Sequence, residues 1–165
     1  MGENVAYEGL LRLYAKVDGF FEEAVQAQPG AFLCAPGCDG CCEVDLSVFE
    51  VEAQSLADFF ATLSAPDRQR AAERARHGHH CVFLDDQGRC LVYERRPLIC
   101  RSHGLAVQVG GGIDHCPLNF SDREPDPRWV LDIDRLNVLL VAVNRMAGGD
   151  GRRIPLAAIA LGKAP

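Results

Sequence analysis

Apolar residues recur at helical spacing over the first part of the chain. Between Val5 and Gln28, the residues Leu10, Leu13, Tyr14, Val17, Phe20, Phe21 and Val25 share one side of a helix, and Pro29-Gly30 stops it. A second helix is expected from Ser47. Ser47-x-x-Glu50 has capping-box spacing, and Phe49, Ala53, Leu56, Phe60 and Leu63 form the apolar side. A third, mostly polar and on the surface, is expected from Pro66 to Arg76, with Ser64 as its cap and Asp67 in its first turn. The pattern then changes. Cys81-Val-Phe-Leu and Cys90-Leu-Val-Tyr are short apolar runs around Asp85-Asp86-Gln87-Gly88, which predicts a small hairpin. Pro97 opens a helix of one or two turns carrying Cys100. Leu105 to Val109, Gly110-Gly111-Gly112 and Ile113 predict a second hairpin that delivers Cys116. A last helix, from Asp132 to Met146, turns Ile133, Leu136, Leu139, Leu140 and Val143 inward and ends at Gly148-Gly149. The apolar tail after Asp150 receives no assignment. The sum is an α+β chain, mostly α-helical with short β-hairpins. No repeat or low-complexity linker divides it, so residues 1–165 read as a single domain.

Composition narrows the class. At 48% hydrophobic the chain can bury a real core, so its cysteines are not needed to rescue a tiny fold. Met1-Gly2-Glu3-Asn4 has no basic start and no signal-length apolar run follows, and no segment approaches the roughly 18 apolar residues of a membrane span. A cytoplasmic location and no membrane partner are expected. The net charge of −6 and the lack of a Lys/Arg run argue against nucleic acid as a partner.

The eight cysteines change the picture most. Four are packed as Cys34-x3-Cys38-x2-Cys41-Cys42, and Cys81, Cys90, Cys100 and Cys116 follow. Pro36, Gly37 and Gly40 favour a compact knuckle of turns around the first four. Zinc takes tetrahedral sulfur or nitrogen sites from short Cys-x2-4-Cys knuckles, and iron–sulfur clusters use closely spaced thiolates with a distant one. The spacing fits either. The vicinal Cys41-Cys42 pair is in neither usual motif. Eight thiols allow two four-sulfur sites, one binuclear site, or one site with spare redox thiols. Thiol–disulfide redox groups, structural disulfides and inert buried thiols are the rivals. Inertness suits a lone cysteine and suits this clustering badly. The partner expected first is a metal ion, and no protein partner can be named.

The run Cys34-x3-Cys38-x2-Cys41-Cys42, then Cys81-Val-Phe-Leu, then Cys90-Leu-Val-Tyr-Glu-Arg-Arg-Pro-Leu-Ile-Cys-Arg ending at Arg101, resembles the YkgJ-type cysteine-cluster (CxxCxxCC) family. Zinc or iron chelation is ascribed to that family. The motif part covers Cys34 to Cys116. The first gap here holds three residues where the family name implies two. The resemblance implies a domain organised around a cysteine-rich metal centre, with zinc or iron as cofactor, an iron–sulfur cluster as the alternative, and no established reaction.

Histidines stand beside the cysteines: His79 and His80 before Cys81, His103 three after Cys100, His115 before Cys116. A neutral imidazole suits zinc or iron. His103 is the best placed, because a helical turn returns it to the face of Cys100, whereas His77, His79 and His80 suit the end of the third helix. An arginine near thiolates lowers their pKa. Arg96 and Arg101 match the arginines of the family's Arg-Pro-x-x-Cys-Arg run and are expected beside the thiolates, while Arg95 is expected in solvent. Glu50 has two readings, a helix cap with Ser47 or a carboxylate turned to the cysteine loop or Arg101. No other catalytic constellation appears: Gly110-Gly111-Gly112 lacks the context of a P-loop, no serine sits in a nucleophile elbow, and Trp129 and the phenylalanines read as core. The functions left open are a metal-binding protein, an iron–sulfur electron-transfer or redox-sensing protein, a metal-dependent enzyme with an open coordination position, and a metal-delivery or interaction module.

Overall fold

A computed structural model describes residues 2–35, 37–42, 45–77 and 80–163, with side chains from residue 7 onward. Helix α1 (Gly2–Ala27) buries Leu10, Leu13, Tyr14, Val17 and Ala24 on one stripe. Phe20 and Phe21 are half-buried, and Val25 lies outside the stripe at 38% exposure. The helix stops where Pro29 and Gly30 follow, and Gly30 takes the left-handed φ of 79°.

Strand β1 (Ser47–Phe49) runs straight into α2 (Glu50–Ala61). This corrects the capping-box expectation. Ser47 is in a strand, and the helix is capped by the backbone of Phe49 with no side-chain bond. Val51, Glu52, Ala53, Ser55, Leu56 and Phe60 are buried. Helix α3 (Ala65–His77) matches its sequence signals: Ser64 Oγ accepts the Asp67 N–H at 3.3 Å, and only Ala71 is buried.

The expected hairpin over residues 81–93 is reduced to a tight loop. A single β-bridge joins Leu84 and Cys90, and Leu91 N–H donates to Phe83 O at 2.8 Å. Asp85 explains the tightness: its carboxylate accepts the N–H groups of Gln87 and Arg89, so the turn is closed by a side chain instead of a ladder. Helix α4 (Leu98–Ser102) follows Pro97 as expected.

Strands β2 (Ala106–Val109) and β3 (Gly112–Asp114) form the second hairpin, antiparallel with Val107 opposite Asp114. An unexpected third strand, β4 (Val130–Asp132), joins β2 in parallel, giving the order β3-β2-β4. Helix α5 (Ile133–Met146) begins at Asp132, whose carboxylate caps Arg135 N–H at 2.9 Å. Leu136 and Leu140 are buried, but Leu139 is 47% exposed, so its expected inward position is corrected. The tail supplies β5 (Arg153–Pro155), antiparallel to β1 with Val48 opposite Ile154, and α6 (Leu156–Ala160).

The class is α+β, as the periodicity predicts. The core falls into three clusters. The first joins Val48, Leu56, Phe60, Phe83, Leu156 and Ile159, with Cys81 and Cys90 packed on its edge. The second holds α1 to α5 through Leu10, Tyr14, Leu98, Leu136 and Leu140. A third, small cluster packs Ala31, Ala106 and Phe120 with Phe32. Truncating Phe83 to alanine, at 1% exposure, would cost about 3–5 kcal/mol. Trp129 packs on Phe20 with ring centroids 5.5 Å apart, in line with a core role.

Candidate metal centre

The cysteines stand on local structure of low regularity. Cys38 N–H donates to Ala35 O, and Cys42 N–H donates to Asp39 O at the end of a single 3-10 turn, Gly40–Cys42. That turn is part of the compact knuckle, and Gly37 before it takes a left-handed φ of 90°. Cys42 O then accepts the N–H of Cys81 at 2.7 Å, which ties the first cysteine segment to the second. Cys90 sits at the bridge to Leu84, Cys100 on α4, and Cys116 after β3. Pro36 and His79 lie outside the described residues.

All eight are free thiols. Their electrostatics tie distant segments together. Burial pushes the Cys100 thiol well up, and the charges of Cys81, Cys90, Glu52 and Cys41 push it further. Cys90 is raised to about 11, first by burial and then by Cys81, against the opposing N–H of Val92 and charge of Arg96. Cys81 is raised by burial and by Cys41, against the N–H of Phe83 and the charge of Arg74. Cys41 is raised to about 12, chiefly by its hydrogen bond with Cys42, while a hydrogen bond with His103 acts in the opposite sense. Cys34 is raised by burial and by Cys116, Cys38 and Cys41, and a hydrogen bond from Asn119 opposes this. Two neighbourhoods result. Cys81, Cys90 and Cys100 form one, Cys34, Cys38 and Cys116 the other, and Cys41 belongs to both.

The donor set fits a soft or borderline cation. Thiols that repel one another as thiolates stay protonated by themselves, and a bound cation reverses that preference. Two sulfurs already face backbone donors, from Phe83 to Cys81 and from Val92 to Cys90, and such N–H groups stabilise the charged form. Gly104 leaves space that the site uses: a Cβ there would stand 3.0 Å from Cys34 Sγ and 3.3 Å from the Phe21 ring. Among the described residues, no three His, Cys, Asp or Glu side chains are gathered into an ion-sized cluster.

The polar residues divide differently from expectation. His103 lies just past α4 and bonds Cys41 instead of sharing the face of Cys100. His115 Nδ1 lies 3.0 Å from Cys116 O, and its ring edge meets Phe120. His77 ends α3, and His80 is exposed. Arg96 acts on Cys90, as the family run implies, and stacks on Tyr93 at 4.0 Å. Arg101 does not turn to the sulfurs. It is 5% exposed and donates to Asp18, to Arg96 O at 2.8 Å and to Glu94 O at 2.7 Å, with its guanidinium 4.2 Å from the Tyr14 ring. It clamps α4 to α1. Arg95 is half-buried, 6.0 Å from the Tyr7 ring, so its expected place in solvent is corrected.

Both readings of Glu50 are corrected as well. Its carboxylate accepts from Asn144 Nδ2 at 2.8 Å, Asp150 N at 3.2 Å and Arg152 N at 3.1 Å, which fastens the turn after α5. The carboxylate that approaches the cysteines is Glu52, buried at 2% and bonded by Tyr14 and the Leu98 N–H. Sequence reasoning missed Glu52, Asp18, Arg74 and Asn119. Only Glu52 carried a signal, being a charged residue on the apolar side of an amphipathic helix. A cleft of about 470 Å³, lined by Leu98, Leu136, Leu140 and Arg153 among others, contains no cysteine, so the sulfur chemistry lies outside it.

Residues 33–117 match the model of a family named CxxCxxCC and described as "Putative zinc- or iron-chelating domain". That span is about half the chain and contains every cysteine. The chain belongs to the CxxCxxCC family. No curated protein and no solved structure matches it. Outside the CxxCxxCC span lie α1, α5 and the tail, which carry Asp18, the partner of Arg101, and much of the core. No helix among the described residues is long and apolar enough to cross a membrane.

Proposed function

We propose that this CxxCxxCC domain holds zinc or iron in the cytoplasm through thiolates drawn from Cys34, Cys38, Cys41, Cys42, Cys81, Cys90, Cys100 and Cys116. The observation that carries the reading is the convergence of separate cysteine segments: Cys42 O accepts the Cys81 N–H at 2.7 Å, Cys81 and Cys90 pack on the same core edge, and the charges of Cys81, Cys90 and Cys41 bear on Cys100. Such a set is costly as free thiolates and favourable around a cation.

The residues divide the work. Cys81 and Cys90, on the edge of the core, and Cys100 on α4 would offer the more buried donors, and Cys41 would be shared with Cys34, Cys38 and Cys116. His103, on Cys41, can take its proton or replace a sulfur as donor. Arg74 and Arg96 offset thiolate charge. The bound ion supplies Lewis acidity and, if it is iron, one-electron chemistry. Raised thiol pKa values mean that loading releases protons, so affinity rises with pH.

The test is metal analysis and a visible spectrum on protein purified without oxygen, followed by single Cys→Ser variants of Cys41, Cys81, Cys90 and Cys100. Bound zinc or iron that falls in each variant supports the reading. Full metal content in all four would defeat it. N–H groups aimed at sulfur also tune iron–sulfur potentials, which favours an electron-transfer or redox-sensing cluster as the second reading. A brown chromophore with acid-labile sulfide selects that reading, and a colourless zinc protein excludes it.

A further inference from the structure

Cys81 and Cys90 each receive an N–H from the backbone two residues on, Phe83 and Val92. Cys34 cannot be served in this way. The residue two positions after it is Pro36, which has no N–H to give. A side chain stands in. Asn119 Nδ2 lies 3.4 Å from Cys34 Sγ, across 85 residues of sequence.

The orientation of Asn119 is fixed by its other partners. Its Oδ1 accepts the Leu33 N–H at 2.8 Å, and its Nδ2 donates to Gly104 O at 2.7 Å. Turning the amide over would set Nδ2 against an N–H and Oδ1 against a carbonyl. Nδ2 therefore stays the amide atom nearer the sulfur, at 3.4 Å, while Oδ1, at 3.8 Å, can accept only from the neutral thiol's S–H. Asn119 is 0% exposed, so no water competes for it. A neutral thiol is a weak acceptor, and the same N–H is far more effective toward a thiolate. The rest of the arrangement serves the approach: Gly104, with φ of 97°, admits Cys34 Sγ where a Cβ would stand only 3.0 Å away. Asn119 itself lies just outside the matched residues 33–117.

We propose that Asn119 is a positioning residue for Cys34 as a metal ligand, supplying from a buried side chain the N–H···S bond that Pro36 cannot. The proposal rests on the reading of Cys34 as a ligand. It gives the three-residue gap before Cys38 a physical consequence, since Cys34 is held from outside its own knuckle and need not follow the backbone pattern of the other cysteines. It also links the turn between α4 and β2, through Gly104, to the metal centre.

The experiment uses the full chain loaded with cobalt(II), whose thiolate charge-transfer band counts sulfur ligands. Cys34→Ser should reduce the band, and Asn119→Ala should shift it and weaken retention against a competing chelator by roughly 10- to 100-fold. In the Cys34→Ser background, Asn119→Ala should add no further loss. Equal weakening in both backgrounds would mean a merely structural role and would overturn the proposal. An unchanged band in Cys34→Ser would instead remove Cys34 from the ligand set, and the proposal with it. Because Asn119→Ala also strands Leu33 and Gly104 and can unfold the protein, a second measurement uses the unaltered chain. Loaded with NMR-active cadmium, the Asn119 side-chain N–H should show scalar coupling to the metal through Cys34. Cadmium coupled to the Cys34 methylene protons but not to the Asn119 amide would overturn the assignment.

Discussion

Glu52 offers the sharpest test of how the buried polar groups are balanced. It is 2% exposed, and its Oε1 accepts the Leu98 N–H at 2.8 Å and the Tyr14 hydroxyl at 3.2 Å. Burial raises its pKa above the ordinary 4.5, and the bonds from Leu98 and Tyr14 with the charge of Arg153 only partly oppose this. The folded state therefore binds a proton that the unfolded chain releases at lower pH. The stability linked to that proton is fully present below pH 4.5 and is lost as pH rises from there through the folded value, by up to ~1.4 kcal/mol per pH unit.

Glu52→Gln keeps an oxygen for both donors and needs no proton. Relative to the wild type it should gain stability steadily as pH rises, with the contribution of residue 52 to the slope abolished. Glu52→Ala leaves Tyr14, 2% exposed, and the Leu98 amide without an acceptor, at about 1–3 kcal/mol for each. The assay is urea unfolding of the metal-loaded protein, followed by circular dichroism, from about pH 5 to pH 8. If Glu52→Gln lost as much stability as Glu52→Ala and the pH slope were unchanged, the carboxylate would be acting as a charge, and the argument from burial would be refuted.

Asp18→Ala should cost about 2–3 kcal/mol by urea unfolding, because it strands the buried Arg101 beside Arg96, and the partial exposure of Asp18 keeps the loss below that of a fully buried pair. Glu50 is held down at about 2: burial pushes it up, but hydrogen bonds with Asp150 and Asn144 and from the backbone of Glu50 and Arg152 outweigh this. Its contribution is present above pH 4.5 and lost as pH falls through about 2, so Glu50→Gln should flatten acid unfolding in that window while metal content stays unchanged. Removing metal with a chelator should raise hydrogen exchange over residues 34–42 and leave the amides of α4 and the adjoining part of α1 protected; uniform loss of protection would contradict the separation of clamp and site.

Much of the scaffold was legible because periodicity reports burial directly. Leu10, Leu13, Tyr14 and Val17 announce α1, and Leu136 and Leu140 announce α5. The errors have particular causes. Ser47 and Glu50 have capping-box spacing, but β5 pairs with β1 and holds Ser47 extended, and a strand partner over one hundred residues away leaves no local trace. Leu139 fits the helical stripe, yet it stands 47% exposed while Leu136 and Leu140 beside it are buried. Arg101 stands beside a cysteine in sequence, while its side chain is claimed by Asp18 across the helix pair. The cysteine motif marked the chemistry plainly because its donors are rare residue types at short spacing. Asn119 was invisible for the opposite reason: asparagine is common, and its relation to Cys34 exists only in three dimensions.

The polar groups and sulfurs around α4 fall on two sides of it. On one side Arg101, Asp18, Tyr14 and Glu52 bond to each other and to backbone, so α4 is fixed to α1 and α2 by contacts that involve no sulfur. On the other side Cys100 looks toward Cys41, Cys81 and Cys90. The helix has only five residues and could not hold its own position by backbone bonding alone. The clamp therefore does for Cys100 what Asn119 does for Cys34: each fixes a sulfur from outside, with groups that stay behind when the metal leaves. On the proposed metal reading, such a site has a preset wall and an adaptable one, the exposed turns of Cys38 and Cys41 closing against thiols already held in place. Opening that wall would not require the core of the domain to unfold, so an ion held there could be loaded and released without global unfolding.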